Sequence, residues 1–344
     1  MQLVINTYGA YLRKNGDCFA VKVGDRNLDV SVNKVQSILI TTSAYLSTDA
    51  IKMAIENNID IVFLDDFGDP FGRVWHSKLG STTLIRRKQL EIMPTEEGFE
   101  MAKEWIIKKL ENNIRFIKSL AHSRPEQSEQ ILNQMQTLAN NVESIQSLKG
   151  TINEKRSELM GLEGSAGKVY FEILSSVMPE KYKFSGRSKQ PAEDEFNCMI
   201  NYAYGVLYGL VEKACIIAGL EPYLGFIHTD NYNKKSLVFD LIEMFRIYAD
   251  STVVFLFTGR KIQPEFFDVI DSGGYTLNKE GKAFLLENFN KYLDDSVRYQ
   301  SRNIKRRDII QFECHKIANR LIKKASLNSS ENLEDELTEN DIKK

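Results

Sequence analysis

The sequence predicts an α+β protein: a β-rich N-terminal domain over residues 1–82, a larger all-α domain over 83–326, and an acidic disordered tail over 327–344. Three observations predict it. Before residue 82 the apolar residues fall in short runs of strand formers, whereas after it they recur every three to four residues, the helical period. At 344 residues the chain exceeds one ordinary core, so two domains are expected. The last 18 residues, LNSSENLEDELTENDIKK, hold six acidic and two basic side chains and few apolar ones, too little to bury.

In the N-terminal part, LVINTYG, AYLRK and DCFAVKV read as strands, with Asn15-Gly16 as a type I′ hairpin signal between the second and third. VQSILITT and IDIVFLDD are short buried-strand runs. They flank one helix, AIKMAIENN, with Ser47 and Thr48 as capping candidates. After a turn at Gly68, Asp69 and Pro70, FGRVWHS gives another strand.

From residue 83 the helical period holds. In EWIIKKLENNIRFIKSL, residues Trp105, Ile106, Leu110, Ile114, Ile117 and Leu120 form one apolar face. Further helices are expected at about 127–147, 154–177, 191–218, 236–249, 279–294 and 296–324, the fourth of the chain's long helices opened by Pro191 and closed by Gly219. Segments 178–190 and 225–235 read as loops.

Composition excludes several classes. No apolar run nears the ~20 residues of a membrane span, and the N-terminus lacks the pattern of a secretory signal, so a cytoplasmic protein is expected. Cys18, Cys198, Cys215 and Cys314 form no CxxC pair, which argues against a disulfide framework or a zinc ribbon and for structural cysteines. The net charge of −2 hides segregation, because the tail carries −4 and the stretch 298–324 has nine basic residues against two acidic ones. Arg298, Arg302, Lys305, Arg306 and Arg307 recur at three and four residues, which predicts a basic helical stripe suited to phosphates. A second basic cluster, Lys181, Lys183, Arg187 and Lys189, lies in the 178–190 loop.

The candidate chemistry rests on misplaced polar residues. Glu163 sits on the face formed by Leu159, Leu162, Ala166, Tyr170 and Ile173, where a carboxylate must be paired, neutralised or bound to a cation. Gly161, Gly164 and Gly167 around it leave room for another segment or a substrate. Asp240 and Glu243, three apart in SLVFDLIEMFRIYAD, project from one face of an otherwise apolar helix that Ser236 can cap. His228, in the loop just before, can swing toward those carboxylates. Glu163, His228 and Glu243 together offer the oxygen and nitrogen donors that suit Mg²⁺ or Mn²⁺ and leave positions for phosphate and water. Zinc is disfavoured without cysteine or a second histidine. Individually, Glu163 also fits a buried ion pair, Asp240 and Glu243 a solvated face, and His228, like His76, His122 and His315, a structural role.

These segments carry a resemblance. GLEGSAGKVYF, then FSGRSKQPAEDEFNCMINYAYGVLYGLVEKACIIAGLEPYLGFIHTDNYNKKSLVFDLIEMFR, and the Asn-Gly hairpin near the N-terminus resemble the CRISPR-associated integrase family, CRISPR-associated protein one, over residues 1 to about 325. The resemblance implies a homodimer, formed through the β-rich domain, that joins CRISPR-associated protein two to insert prespacer DNA into a repeat array. It places the family's metal ligands on Glu163, His228 and Glu243, the last being aspartate in some members. Asp240 matches an acidic position that assists the site, Arg187, Asn197 and Tyr204 match cleft positions, and Arg246 closes the helix motif. The implied reaction is attack of a 3′-hydroxyl on a repeat phosphodiester. A metal-dependent nuclease hydrolysing RNA or branched DNA is the alternative activity, and a non-catalytic binding subunit the alternative class. Tyr202, Tyr204 and Tyr208 read as packing or DNA-contacting groups rather than nucleophiles.

Overall fold

A computed structural model describes residues 2–35, 37–57, 59–65, 70–74, 82–228, 234–271 and 273–327. The expected turn residues Gly68 and Asp69, His76, part of the 225–235 loop and all but the first residue of the acidic tail lie outside these.

The N-terminal domain contains strands β1 (Gln2–Ile5), β2 (Tyr11–Asn15), β3 (Cys18–Val23), β4 (Arg26–Ser31), β5 (Ser37–Ile40) and β6 (Tyr45–Leu46), helix α1 (Thr48–Glu56), and strands β7 (Asp60–Leu64) and β8 (Pro70–Val74). They form two four-stranded sheets, ordered β1-β5-β7-β8 and β4-β3-β2-β6. The short apolar runs become the parallel strands β1, β5 and β7, buried because both faces are covered. Ser47 caps α1 as expected, its hydroxyl accepting from the Ala50 amide at 3.1 Å. The first hairpin falls where expected, but Asn15 pairs with Cys18, so the turn residues are Gly16 and Asp17. Of these only Gly16 has positive φ, as a type II′ turn requires and a type I′ turn does not. Strands β4 and β6 escaped the sequence reading, since RNLDVS is exposed along most of its length and lacks an apolar face.

The second domain carries α2 (Thr82–Ile92), α3 (Glu96–His122), α4 (Ser128–Ser147), α5 (Ile152–Ser176), α6 (Glu195–Ile217), α7 (Ser236–Ile242) and α8 (Arg246–Thr258). There follow β9 (Phe267–Val269), β10 (Tyr275–Leu277), α9 (Lys279–Asp294), β11 (Ser296–Tyr299), β12 (Arg302–Lys305) and α10 (Arg306–Leu327). Helix α6 is buried along almost its whole length and packs against α7, α8, α9 and α10, which makes it the domain's axis. Charged side chains join it to the β domain: Arg73 of β8 donates to the Gly209 carbonyl at 2.5 Å, and Lys213 lies 2.8 Å from Asp60 of β7.

Four expectations need correction. The second domain is mostly helical, as expected, but not purely so, because β9 pairs with β10 and β11 with β12. Pro191 does not open α6; Asp194 does, accepting from the Asn197 amide at 2.7 Å. The expected helix 236–249 is two helices broken at 243–245, and Ser236 is its buried first residue rather than its cap. The expected helix 296–324 begins as a hairpin, which puts Arg298, Arg302 and Lys305 on strands and dissolves the basic helical stripe. Gln300 and Ser301 both take positive φ at that turn, with no glycine or asparagine to announce it. Among the described residues no helix is long and apolar enough to cross a membrane. Cys198, Cys215 and Cys314 are buried and Cys18 half-buried, all four as free thiols.

Candidate metal centre and nucleic-acid cleft

A cleft of about 930 Å³ opens between α3, α5, α6 and the α7–α8 break. Each element delivers a side chain to it. Thr151 and Glu154 start α5 with a capping box, the Thr151 amide donating to Glu154 Oε2 at 2.8 Å. Three turns on, α5 presents Glu163 with Gly164 and Gly167 beside it in the cleft wall. A Cβ at Gly164 would meet nothing within 4 Å, so this helix face is open to a ligand. Glu243 ends α7, where the chain turns before α8. Asn112 of α3 fixes that turn by donating to the Met244 carbonyl at 2.9 Å.

Glu163 and Glu243 meet at one point, and Lys109 of α3 occupies it. Its ammonium pairs with Glu163 Oε1 and lies 2.5 Å from Glu243 Oε2. Arg246 Nε donates to the other oxygen, Glu243 Oε1, at 2.8 Å. Burial opposes ionisation of Glu243, but Arg246 and Lys109 outweigh it and bring the carboxyl down to about 2. Burial also opposes the Lys109 ammonium, and the two glutamates overcome it to hold its pKa above the ordinary value. The ion pair that Glu163 alone suggested is thus present, and it contains both carboxylates.

His228 lines the same cleft. Its Nδ1 lies 2.6 Å from Asp240 Oδ1, which leaves Nε2 as the ring nitrogen a metal would take. Burial works against the imidazolium, yet the hydrogen bond and charge of Asp240 raise its pKa. Asp240 is fully buried and does not share a face with Glu243 in the cleft. It turns back on the loop, where Oδ2 accepts from the amides of Phe226 (2.5 Å) and Ile227 (3.0 Å) and Oδ1 from that of His228 (3.0 Å). Among the described residues no group of three or more His, Cys, Asp or Glu side chains stands close enough to hold a metal ion. The donor types still fit a hard divalent cation, with two carboxylates and one imidazole around one cleft. Glu243 Oε2 supports the fit, being buried and already facing a cation, the Lys109 ammonium.

The predicted nucleic-acid contacts do not all fall in the cleft. Arg187, Lys189, Tyr204 and Arg246 line the cleft, together with Lys168, which the sequence reading missed. Arg246 stacks 4.4 Å over the Tyr204 ring and Arg187 lies 5.6 Å from its centre, so that tyrosine orients two guanidinium groups. The Tyr204 and Tyr170 hydroxyls both donate to Asp250, at 2.5 and 2.9 Å. Burial raises Asp250 to about 6 against those two hydrogen bonds. Asn197 is fully buried and outside the cleft; it holds the basic loop by pairing with Arg187 and donating to the Gly186 carbonyl at 2.8 Å. Lys181 and Lys183 are exposed beyond the cleft, Lys183 2.6 Å from Glu180. Arg298, Arg302 and Lys305 sit on the β11–β12 hairpin, away from the cleft. Arg306 is structural, stacking 3.9 Å over Tyr292 and donating to its carbonyl at 2.9 Å.

The His228 loop depends on Gly225, where a Cβ would come within 2.5 Å of Ser236 Cβ and 2.8 Å of the His228 carbonyl oxygen. Gly225→Ala is expected to destabilise the fold by about 1–3 kcal/mol, an overpacking cost, and to loosen the loop; chemical denaturation and limited proteolysis measure both effects.

Comparison with known proteins bears on this architecture. Residues 3–291 match the family model described as CRISPR associated protein Cas1. The chain is 33% identical over 323 residues to CRISPR-associated endonuclease Cas1 1 of Archaeoglobus fulgidus, covering 90% of this chain and 93% of that one. Its fold is similar to that of a casposase bound to integration product, with TM-score 0.81 at 23% identity over 99% of this chain and 97% of the other. A chain of a Cas6-RT-Cas1–Cas2 complex is similar with TM-score 0.76 at 19% identity, over 98% of this chain and 36% of that one. With the family model spanning most of its length and such a relative aligned nearly end to end, the chain belongs to the Cas1 family of CRISPR associated proteins.

Proposed function

We propose that this protein is a metal-dependent DNA endonuclease and integrase that joins the 3′-hydroxyl of prespacer DNA to a phosphodiester of a CRISPR repeat array. The observation that carries the reading is the convergence of Glu163, Glu243 and the Asp240-oriented His228 on one cation-walled cleft. The name of the Archaeoglobus relative and the integration product held by a casposase of the same fold support it. Glu163, Glu243 and His228 Nε2 would hold Mg²⁺ or Mn²⁺. When bound, that ion supplies Lewis-acid polarisation of the phosphate and favours an alkoxide nucleophile.

The chain's own residues do the positioning. Arg246, fixed by Glu243 and stacked on Tyr204, and Arg187, anchored to Asn201 at 2.6 Å, present charge to a phosphodiester without having to reorganise. Lys168 and Lys189 extend the cationic wall along a backbone. A homodimer, and assembly with CRISPR-associated protein two, belong to the same reading; the Cas1–Cas2 complex whose chain shares this fold supports the latter.

The test is product analysis with DNA carrying a free 3′-hydroxyl. Branched strand-transfer products are expected with Mg²⁺ or Mn²⁺, none in EDTA, and none with Ca²⁺, whose longer, variable coordination serves in-line geometry poorly. Hydrolysis products alone would make the protein a nuclease. Robust activity in excess EDTA, or no chemistry with any metal, would end the metal-dependent reading.

A further inference from the structure

We infer that Lys109 is a displaceable counter-ion of this centre, a positioning residue that holds Glu163 and Glu243 together and makes metal loading depend on nucleic acid in the cleft. The inference rests on the metal reading above. Its starting point is geometry: α3, α5 and the α7–α8 break each send one charged group to a single point, and the ammonium stands between the two carboxylates. Two carboxylates facing one point, Glu243 buried and Glu163 half-buried, would repel each other, and a cation between them removes that repulsion. Lys109 therefore keeps the two oxygens facing the place a dication would need.

The contact is built to be exchanged. Arg246 meets Glu243 Oε1 with a hydrogen bond at 2.8 Å and stays with it, whereas Oε2 faces the Lys109 ammonium at 2.5 Å, on the side where a second cation could take its place. Arg246 thus fixes one oxygen, and Lys109 pairs with the other. An ammonium and a divalent cation cannot share that pair of oxygens, because like charges at such separations repel strongly in a partly desolvated site. Lysine and metal compete.

Once displaced, the ammonium needs an anion, since a buried unpaired charge is costly. The charges of Glu163 and Glu243 would by then serve the metal. Asp240 is engaged by three backbone amides and His228, and Asp250 by two tyrosines. Glu172, also in the cleft wall, lies nine residues along α5 from Glu163, about 13 Å away at the helical rise. The anion that fits is a phosphate of the DNA backbone. Metal and DNA then bind with positive coupling that passes through Lys109.

Mn²⁺ affinity measured by electron paramagnetic resonance on the full chain, with and without DNA bearing a free 3′-hydroxyl, tests this. Lys109→Met is expected to bind Mn²⁺ about tenfold tighter than the parent without DNA, because a competing state that held some nine-tenths of the protein is gone. DNA should tighten Mn²⁺ binding to the parent, and to Lys109→Met by a smaller factor. In EDTA the variant should melt below the parent and gain more from added Mn²⁺, while Lys109→Arg, which keeps the charge, should melt near the parent. Unchanged or weaker Mn²⁺ binding by folded Lys109→Met overturns the proposal. If Lys109→Met does not fold, Lys109→Gln carries the same comparison, and failure of Mn²⁺ to rescue either one overturns it too. A parent protein that binds no Mn²⁺ refutes the metal reading itself, whatever Lys109 does.

Discussion

Glu163→Ala, His228→Ala and Glu243→Gln are each expected to lower strand transfer by on the order of 10³-fold, because each removes a group that would stabilise charge only as the reaction proceeds. DNA binding should survive in all three, since Arg187, Lys168 and Lys189 contact none of the altered side chains. The variants should separate in stability. Glu163 is 28% exposed and can be truncated at modest cost, although Lys109 then leans on Glu243 alone. Glu243 is 8% exposed and holds both Lys109 and Arg246. Removing its carboxylate outright leaves Arg246 without a carboxylate and Lys109 with Glu163 alone, a change that breaks buried pairs at about 3–5 kcal/mol, so Gln is the informative substitution and Ala should melt markedly lower. Strand-transfer assays beside thermal melts distinguish the cases. A folded His228→Ala protein, free of contaminating nuclease, that integrates at the parental rate would falsify the assignment.

How much of this was legible depends on whether the signal was local. Glu163 stood out because a carboxylate interrupts an apolar helical face, and α5 does place it on the cleft side. The β-rich half was legible because its short apolar runs are rich in β-branched residues and bounded by turn residues, the combination that marks buried strands. Lys109 carried a comparable signal that went unread: it follows Trp105 by one helical turn and precedes Asn113 by another, and both are buried. A charged residue on the buried stripe of α3 needs a partner as much as Glu163 does. Its partners lie 54 and 134 positions away, and no spacing rule reports that.

The basic segment shows the opposite failure. Arg298, Arg302, Lys305 and Arg306 have helical spacing, yet Val297, Tyr299 and Ile304 also fit the inward face of a hairpin, and tertiary packing chose the hairpin. Tyr299 pairs with Glu313 of α10, which also lies 2.8 Å from Lys108 of α3. Burial of that aromatic ring and its hydroxyl partner outweighs the helix propensity of a ten-residue stretch. The break at residues 243–245 was equally hidden, since the periodicity of LIEMFRIY runs through it. At the break the Met244 carbonyl takes its hydrogen bond from Asn112 of another helix, a partner no local pattern reports.

Asp240→Ala is expected to be the most destabilising single change near the centre, by about 3–5 kcal/mol, the usual cost of breaking a buried charged network. As a cleft ligand it would have been a catalytic loss with little effect on folding; its position reverses that expectation. The carboxylate is fully buried and serves four donors at once: the amides of Phe226, Ile227 and His228, and His228 Nδ1. Alanine leaves three amides unsatisfied where water has little access, and hydrogen bonds to a charged acceptor contribute about 1.5–3 kcal/mol each before non-additivity. Asparagine keeps one acceptor oxygen but turns an amine toward donors that need an acceptor, so Asp240→Asn should recover only part of the loss. Chemistry should suffer through His228 rather than directly. With Nδ1 unanchored the ring can rotate and change tautomer, and loss of such an orienting partner typically weakens metal affinity by about 10–100-fold. Urea denaturation and Mn²⁺ titration of both variants measure the two effects separately. If Asp240→Ala keeps the parental midpoint, the amides of the 226–228 loop have found other acceptors and Asp240 is not what holds that loop. If it keeps the parental Mn²⁺ affinity as well, Asp240 does not orient His228.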